Sequence, residues 1–196
     1  MSKQIVLATS NKGKVKEYQQ MLSPLGYSLL TNEDFPNLVE REENGKNYRE
    51  NALIKALSLR EVTPFPILSD DSGLELLALD GFPGLFTARF AKSQGGYPKA
   101  WEELFRRLEG KDRDAQFVCT ICYLPKNSSN PHYFEGICPG TILFSPNGDN
   151  GFGYDPIFHS KEANIDFGIA SEDIKNAYSH RGKALSKLKE YLEKEE

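Results

Sequence analysis

A chain of 196 residues, 39% of them hydrophobic and 27% charged, carries enough apolar side chains for an ordinary globular core, which sets aside a disordered chain and a membrane-spanning one. The formal net charge of −4 argues against a general nucleic-acid binder, which is normally basic, while leaving room for a locally basic nucleotide site. No apolar run reaches spanning length, and Met1-Ser2-Lys3-Gln4 leads straight into a strand without a signal peptide, so the expectation is a cytoplasmic protein with neither membrane nor nucleic-acid partners.

Gln4 to Ala8 is apolar without alternation, the pattern of an interior strand covered on both faces. Thr9-Ser10-Asn11 turns the chain into a predicted helix over Lys14–Leu22, with Val15, Tyr18, Met21 and Leu22 on one face. A hydroxyl-rich turn, a helix start and Lys12, Lys14 and Lys16 together suit an anion, because the N–H groups and the positive end of the helix dipole favour phosphate. A Walker A loop is excluded, since the spaced glycines and the terminal Gly-Lys-Ser/Thr are missing. Tyr27–Leu30 is a short strand. The acidic stretch from Asn32 to Asn47, with Glu40, Glu42 and Glu43, reads as a loop that is either a solvated surface or the carrier of a carboxylate to a cation. Tyr48 to Glu61 is the clearest helix: Ala52, Leu53, Ala56, Leu57 and Leu59 face inward, and Glu50, Asn51 and Lys55 fall off that face.

Thr63-Pro64-Phe65-Pro66 ends that helix and leads into Ile67-Leu68, which is followed at once by Ser69-Asp70-Asp71-Ser72-Gly73. The expectation is a strand ending at the aspartates. Two adjacent carboxylates there are either a solvated turn or, if buried, ligands for a divalent cation that relieves their repulsion and desolvation. Leu74–Leu79 is short and apolar, Asp80–Gly84 a tight turn, and Lys99–Leu108 an amphipathic helix burying Trp101, Leu104, Phe105 and Leu108. Gln116–Leu124, His132–Ile137 and Gly140–Phe144 read as an antiparallel meander. Cys119 and Cys122 form a C-x-x-C within the first of these strands, where residues three apart point to opposite faces and cannot chelate a metal; the histidines lack ligand spacing, and zinc is not expected. In Asn147–Phe158, glycines at 148, 151 and 153 permit close backbone approach, and Phe152 and Tyr154 are either stacking faces for a base or core aromatics of a glycine-rich hairpin. Lys175, His180 and Arg181 supply donors, and Ala184–Leu192 closes the chain as a helix. The overall expectation is a mixed α/β domain over 1–196, with two lobes sharing one sheet around a cleft and the second lobe near 115–160.

Five stretches together resemble one family, the inosine triphosphate pyrophosphatases: TSNKGK at 9–14, ENALIKA at 50–56, SDDSGLELLALDGFPGLFTARF at 69–90, GFGYDPIF at 151–158 and SHRGKAL at 179–185. The resemblance implies an elongated central sheet with flanking helices, a deep cleft between lobes, a homodimer, and magnesium-dependent hydrolysis of ITP, dITP or XTP to the monophosphate and pyrophosphate, cleansing the nucleotide pool. It implies Asp71 as the essential acid, with Asp70 beside it as an alternative base, and magnesium held by Asp71 with Glu42 or Glu43. It further implies that Thr9, Ser10, Asn11, Lys12, Gly13 and Lys14, with Lys55, hold the triphosphate and that Ser72 touches substrate. Phe152, Gly153, Tyr154, Asp155, Lys175, His180 and Arg181 would form the base pocket. Two departures stand out: Thr87 where serine is frequent, and Ile174 where an acidic residue is common. The rival readings are a pyrophosphatase for modified pyrimidines and a non-catalytic nucleotide sensor; an aspartyl-phosphate phosphatase would need D-x-D, and here the carboxylates are adjacent.

Overall fold

Ile5, Val6 and Leu7 of β1 (Lys3–Leu7) are all fully buried, as an unbroken apolar run requires when both faces of a strand are covered. The alternation of the strand sorts them. Ile5 and Leu7 pack with Tyr18 and Leu22 of α1 (Lys12–Leu22) and with Leu185 and Leu188 of α6 (His180–Lys194), whereas Val6 and Ala8 pack with Ala52, Ala56 and Leu59 of α2 (Tyr48–Arg60). This computed structural model describes residues 3–194; Met1 and Ser2, expected to lead into β1, lie outside the described residues. β1 runs parallel to β2 (Tyr27–Thr31), with Ile5 opposite Leu29, and parallel to β3 (Ile67–Leu76), with Val6 opposite Ile67 and Leu7 opposite Leu68. Seven strands form the sheet in the order β2-β1-β3-β4-β5-β6-β7, where β4 is Asp114–Leu124, β5 His132–Ile142, β6 Phe158–Ser160 and β7 Ile165–Asp166. The expected mixed α/β fold is present.

Several elements differ from the expectation, each for a local reason. α1 starts at Lys12, not Lys14, because Asn11 caps it by accepting from the N–H groups of Gly13 and Lys14. β3 does not end at the aspartates; it runs on through Asp70, Asp71, Ser72 and Gly73 to Leu76. β5 is one strand where two were expected. Pro139 lies just before its pairing with β6 begins at Gly140, a position where a missing N–H breaks no ladder bond with that neighbour. The pairing of β5, β6 and β7 is antiparallel. α3 (Thr87–Gln94) and α5 (Glu172–Tyr178) are short and were not predicted, and α4 is Tyr97–Arg107.

The chain divides into two compact units. One holds the residues through Asp71 together with Cys119–Glu135 and the segment from Ala184; the other holds Ser72–Val118 and Gly136–Lys183. The second unit extends well beyond the expected 115–160, because the divisions fall inside β3, β4, β5 and α6, where no change of composition marks them. The first unit has its cores on the two faces of β1. The second has its own, built on Leu74, Leu76, Phe90, Leu104, Phe117, Phe158 and Phe167. Among the described residues no helix is long and apolar enough to cross a membrane.

Candidate active site

In the first unit, alternation along β3 separates the two aspartates. Leu68 and Asp70 face the side of Tyr18 and Cys119, while Ile67, Ser69 and Asp71 face α2, where the Ser69 hydroxyl donates to the carbonyl of Ala52 at 2.5 Å. The neighbouring carboxylates therefore do not share a face. Asp70 is 1% exposed, accepts from Lys14 Nζ at 3.0 Å and lies 3.7 Å from the Cys119 thiol. Asp71 accepts from Asn51 Nδ2 at 2.9 Å, and Lys55 Nζ stands 3.9 Å from its other oxygen and 3.2 Å from Glu43 Oε2. Burial pushes the Asp71 carboxyl above the usual carboxylate range, against the opposing pull of Lys55 and the Asn51 bond. Burial by itself would lower the Lys55 ammonium; the charges of Asp71, Asp70 and Glu43 outweigh it and hold that group above its ordinary value.

Asn51 also accepts from the Gly45 N–H at 2.8 Å, and a Cβ on Gly45 would come within 2.7 Å of that amide oxygen. One buried amide thus ties the end of the acidic loop to the β3 carboxylate. Sequence reasoning placed Asn51 off the apolar face of its helix and within the ENALIKA stretch without giving it this part; the structure buries it to 4% exposure. The loop distinguishes its glutamates. Glu43 is half-buried against Lys55, Glu42 is exposed, and Glu40 accepts from Asn32 Nδ2 at 2.6 Å. Among the described residues no three His, Cys, Asp or Glu side chains are gathered as a metal centre. The helix-start donors read as a phosphate site are used locally: Asn11 N–H donates to Thr9 Oγ1 at 3.1 Å, and Gly13 and Lys14 donate to Asn11 Oδ1 at 2.9 and 3.2 Å. Ser10 and Lys12 are exposed.

In the second unit the 151–158 segment is locked by its own carboxylate. Asp155, 3% exposed, accepts from the Phe152 N–H at 2.8 Å and from Lys175 Nζ at 2.6 Å. Gly151 has φ +73°, and a Cβ there would come within 2.2 Å of Asp155 Oδ2, so only glycine fits. The half-buried Phe152 ring has Lys175 Nζ 4.5 Å and Arg181 Cζ 5.8 Å from its centroid. Arg181 Nη2 donates to Ser72 Oγ at 2.9 Å, and His180 stacks on Phe117 at 4.7 Å and 14°. Of the two readings of Tyr154, stacking face or core aromatic, the structure shows the core one. The residue is 2% exposed, its hydroxyl donates to the Thr87 carbonyl at 3.1 Å, and its ring meets Tyr97 edge-on at 5.3 Å. The carbonyl of Gly153 accepts from Trp101 Nε1 at 3.1 Å, so α4 braces this segment. Thr87 uses the hydroxyl it shares with serine, accepting from the Leu74 N–H at 2.9 Å and donating to the Gly84 carbonyl at 2.6 Å. Lys175 has its acidic partner in Asp155, and the departure at Ile174 is a partly exposed side chain on α5.

Comparison with known proteins agrees along nearly the whole chain. A dITP/XTP pyrophosphatase of Desulforamulus reducens is 44% identical over 191 residues, covering 96% of this chain and 94% of that protein. A HAM1 protein from Coxiella burnetii superposes with a TM-score of 0.86 at 35% identity, covering 98% of this chain and 99% of that one. The Ham1 protein of Staphylococcus aureus does so with a TM-score of 0.86 at 33% identity, covering 99% and 100%. The model of the Ham1 family matches residues 5–191. The buried Asp71 and Asp155 networks are thus set in a chain that belongs to the Ham1 family.

Proposed function

We propose that this protein is a nucleoside triphosphate pyrophosphatase that uses magnesium to hydrolyse dITP, ITP and XTP to the monophosphate and pyrophosphate. The observation that carries the reading is 44% identity, over almost all of both chains, to a protein named for dITP and XTP hydrolysis. The site chemistry fits a hard cation: the Asp71 and Glu43 oxygens are close to one Lys55 ammonium, and desolvation of Asp71 calls for positive charge. Asp71 and Glu43 would hold the ion, with exposed Glu42 as the less favoured candidate. When bound, magnesium neutralises charge on the phosphate oxygens.

The rest belongs to the chain's own side chains. Asp71 takes a proton from the water whose oxygen attacks the α-phosphorus, and the bond from that phosphorus to the bridging oxygen breaks as pyrophosphate leaves. Asp70, on the opposite face and bonded to Lys14, positions that lysine; it is not the base. Lys12, Lys14 and Lys55, with the Thr9–Gly13 turn, neutralise the phosphate chain. This turn follows the carboxyl end of β1, and the aspartates lie in β3 just past its pairing with β1 at Ile67 and Leu68. Phe152 supplies a flat face for the base, while Lys175 and Arg181 are obligate donors suited to a 6-oxo purine. Adenine's amino group would oppose them donor to donor, which biases against ATP. His180, Gly153, Tyr154 and Asp155 shape this region, and Ser72 lies where Arg181 reaches it. By its resemblance to the family the protein works as a cytoplasmic homodimer. The test is pyrophosphate release from dITP, XTP, dUTP, dGTP and dATP with magnesium. Rapid turnover confined to dITP and XTP supports the assignment, and no release from either rejects it.

A further inference from the structure

Lys55 occupies a place that the proposed reaction needs for something else. Its ammonium lies 3.2 Å from Glu43 Oε2 and 3.9 Å from Asp71 Oδ1, the same two carboxylates that would hold magnesium. Both carboxylates draw on this ammonium, and Asp71 is only 8% exposed. A divalent ion placed on the same oxygens would face that ammonium at close range, where two positive charges repel strongly in a partly desolvated site. The two cations are therefore alternatives for this position. Lys55 is able to leave: it sits on a helix but at the end of a flexible four-carbon stem, with its side chain 19% exposed. Asp71 has a second hold that does not involve Lys55, because Asn51 donates to its other oxygen from the same helix at 2.9 Å.

We infer that Lys55 is an internal stand-in cation, neutralising Glu43 and Asp71 until the metal arrives and then turning to the phosphate chain, so that metal and phosphate binding are coupled through this one side chain. The inference rests on the proposed metal-dependent function. Its consequence is linkage: metal alone must expel the ammonium from the two carboxylates that pair it, whereas metal arriving with phosphate offers it a new partner. Each ligand then strengthens the other by the same factor.

The test measures manganese binding to nucleotide-free protein by electron paramagnetic resonance, for the wild type and for Lys55→Met and Lys55→Gln. Removing the competing ammonium should tighten manganese binding by about fivefold or more, the lower end of ordinary coupling between sites. In the wild type, manganese should also increase acetylation of Lys55 by acetic anhydride, read by mass spectrometry, a measurement that needs no variant to fold. Equal or weaker manganese binding in both variants overturns the proposal, as does Lys55 acetylation that manganese leaves unchanged. Neither arm involves turnover. Wild-type protein that hydrolyses no dITP would instead remove the functional reading.

Discussion

Keeping a charged Asp71 at 8% exposure works against the fold, and the contacts from Asn51 and Lys55 offset part of that. The sign follows from its raised pKa. The folded state holds the proton to higher pH than the unfolded chain, whose ordinary value is 3.8, so this group's contribution is fully present below that pH and is lost as pH rises through the raised folded value. Asp71→Asn should therefore raise the metal-free melting temperature near neutral pH by about 2–4 °C while lowering kcat by orders of magnitude, with the stability difference shrinking in acid. Glu43, the nearer partner of Lys55, keeps that ammonium paired in the variant. Thermal melts across pH check this, and a variant less stable than wild type near neutrality contradicts it. At Asn51 two substitutions separate two roles. Asn51→Asp keeps an acceptor for the Gly45 N–H but sets a second carboxylate against Asp71, so turnover should collapse with the acidic loop still anchored. Asn51→Ala loses both bonds and about 1–3 kcal/mol of stability in urea unfolding. That Asn51 left the apolar face of α2 was legible from helical spacing. That it meets a carboxylate twenty residues on was not, since amphipathicity cannot tell a polar position facing water from one facing a buried charge.

At the level of elements, the misreading of β3 is instructive. Ser-Asp-Asp-Ser-Gly has the composition of a turn, and local chemistry argued for ending the strand there. Asn51, Lys14 and the Ala52 carbonyl override it from other elements, and none of those partners is visible in a window of a few residues. β1 was legible as an unbroken apolar run, and α2 and α6 because their apolar residues recur at helical spacing. α3 and α5, at eight and seven residues, are too short to establish such a period. The 151–158 segment was legible as unusual, yet its glycines and aromatics divide their work in a way composition does not show. Gly151→Ala should force Asp155 aside and destabilise the second unit by about 1–3 kcal/mol, with a raised KM for dITP, read by urea unfolding and steady-state kinetics. Normal stability in that variant would show that the Asp155 lock is dispensable.

Across the whole molecule, the residues proposed for catalysis belong to one unit and those proposed for base recognition to the other. Substitutions in the two should show different kinetic signatures. Arg181→Ala should reduce the dITP-to-dATP ratio of kcat/KM by roughly 10–100-fold, while Asp71→Asn should lower turnover of every substrate and leave the ratio unchanged. Equal ratios in wild type and Arg181→Ala would count against the donor argument. The cysteines take no part: all three are buried, Cys119 and Cys122 fall in different core clusters, and burial pushes the Cys122 thiol up to about 12. Iodoacetamide should accordingly leave activity of the folded enzyme intact.

The passage of β3 from one core to the other between Asp71 and Ser72 has a genetic corollary. Deleting a single codon anywhere from Ile67 to Asp70 would invert the facing of every later residue up to the deletion's compensation, turning Asp71 toward Cys119 and leaving Ser72 misaligned with Arg181 at one stroke. A library of in-frame deletions should be empty of active clones across that strand and well populated at the exposed tip around Ser129 and Asn130.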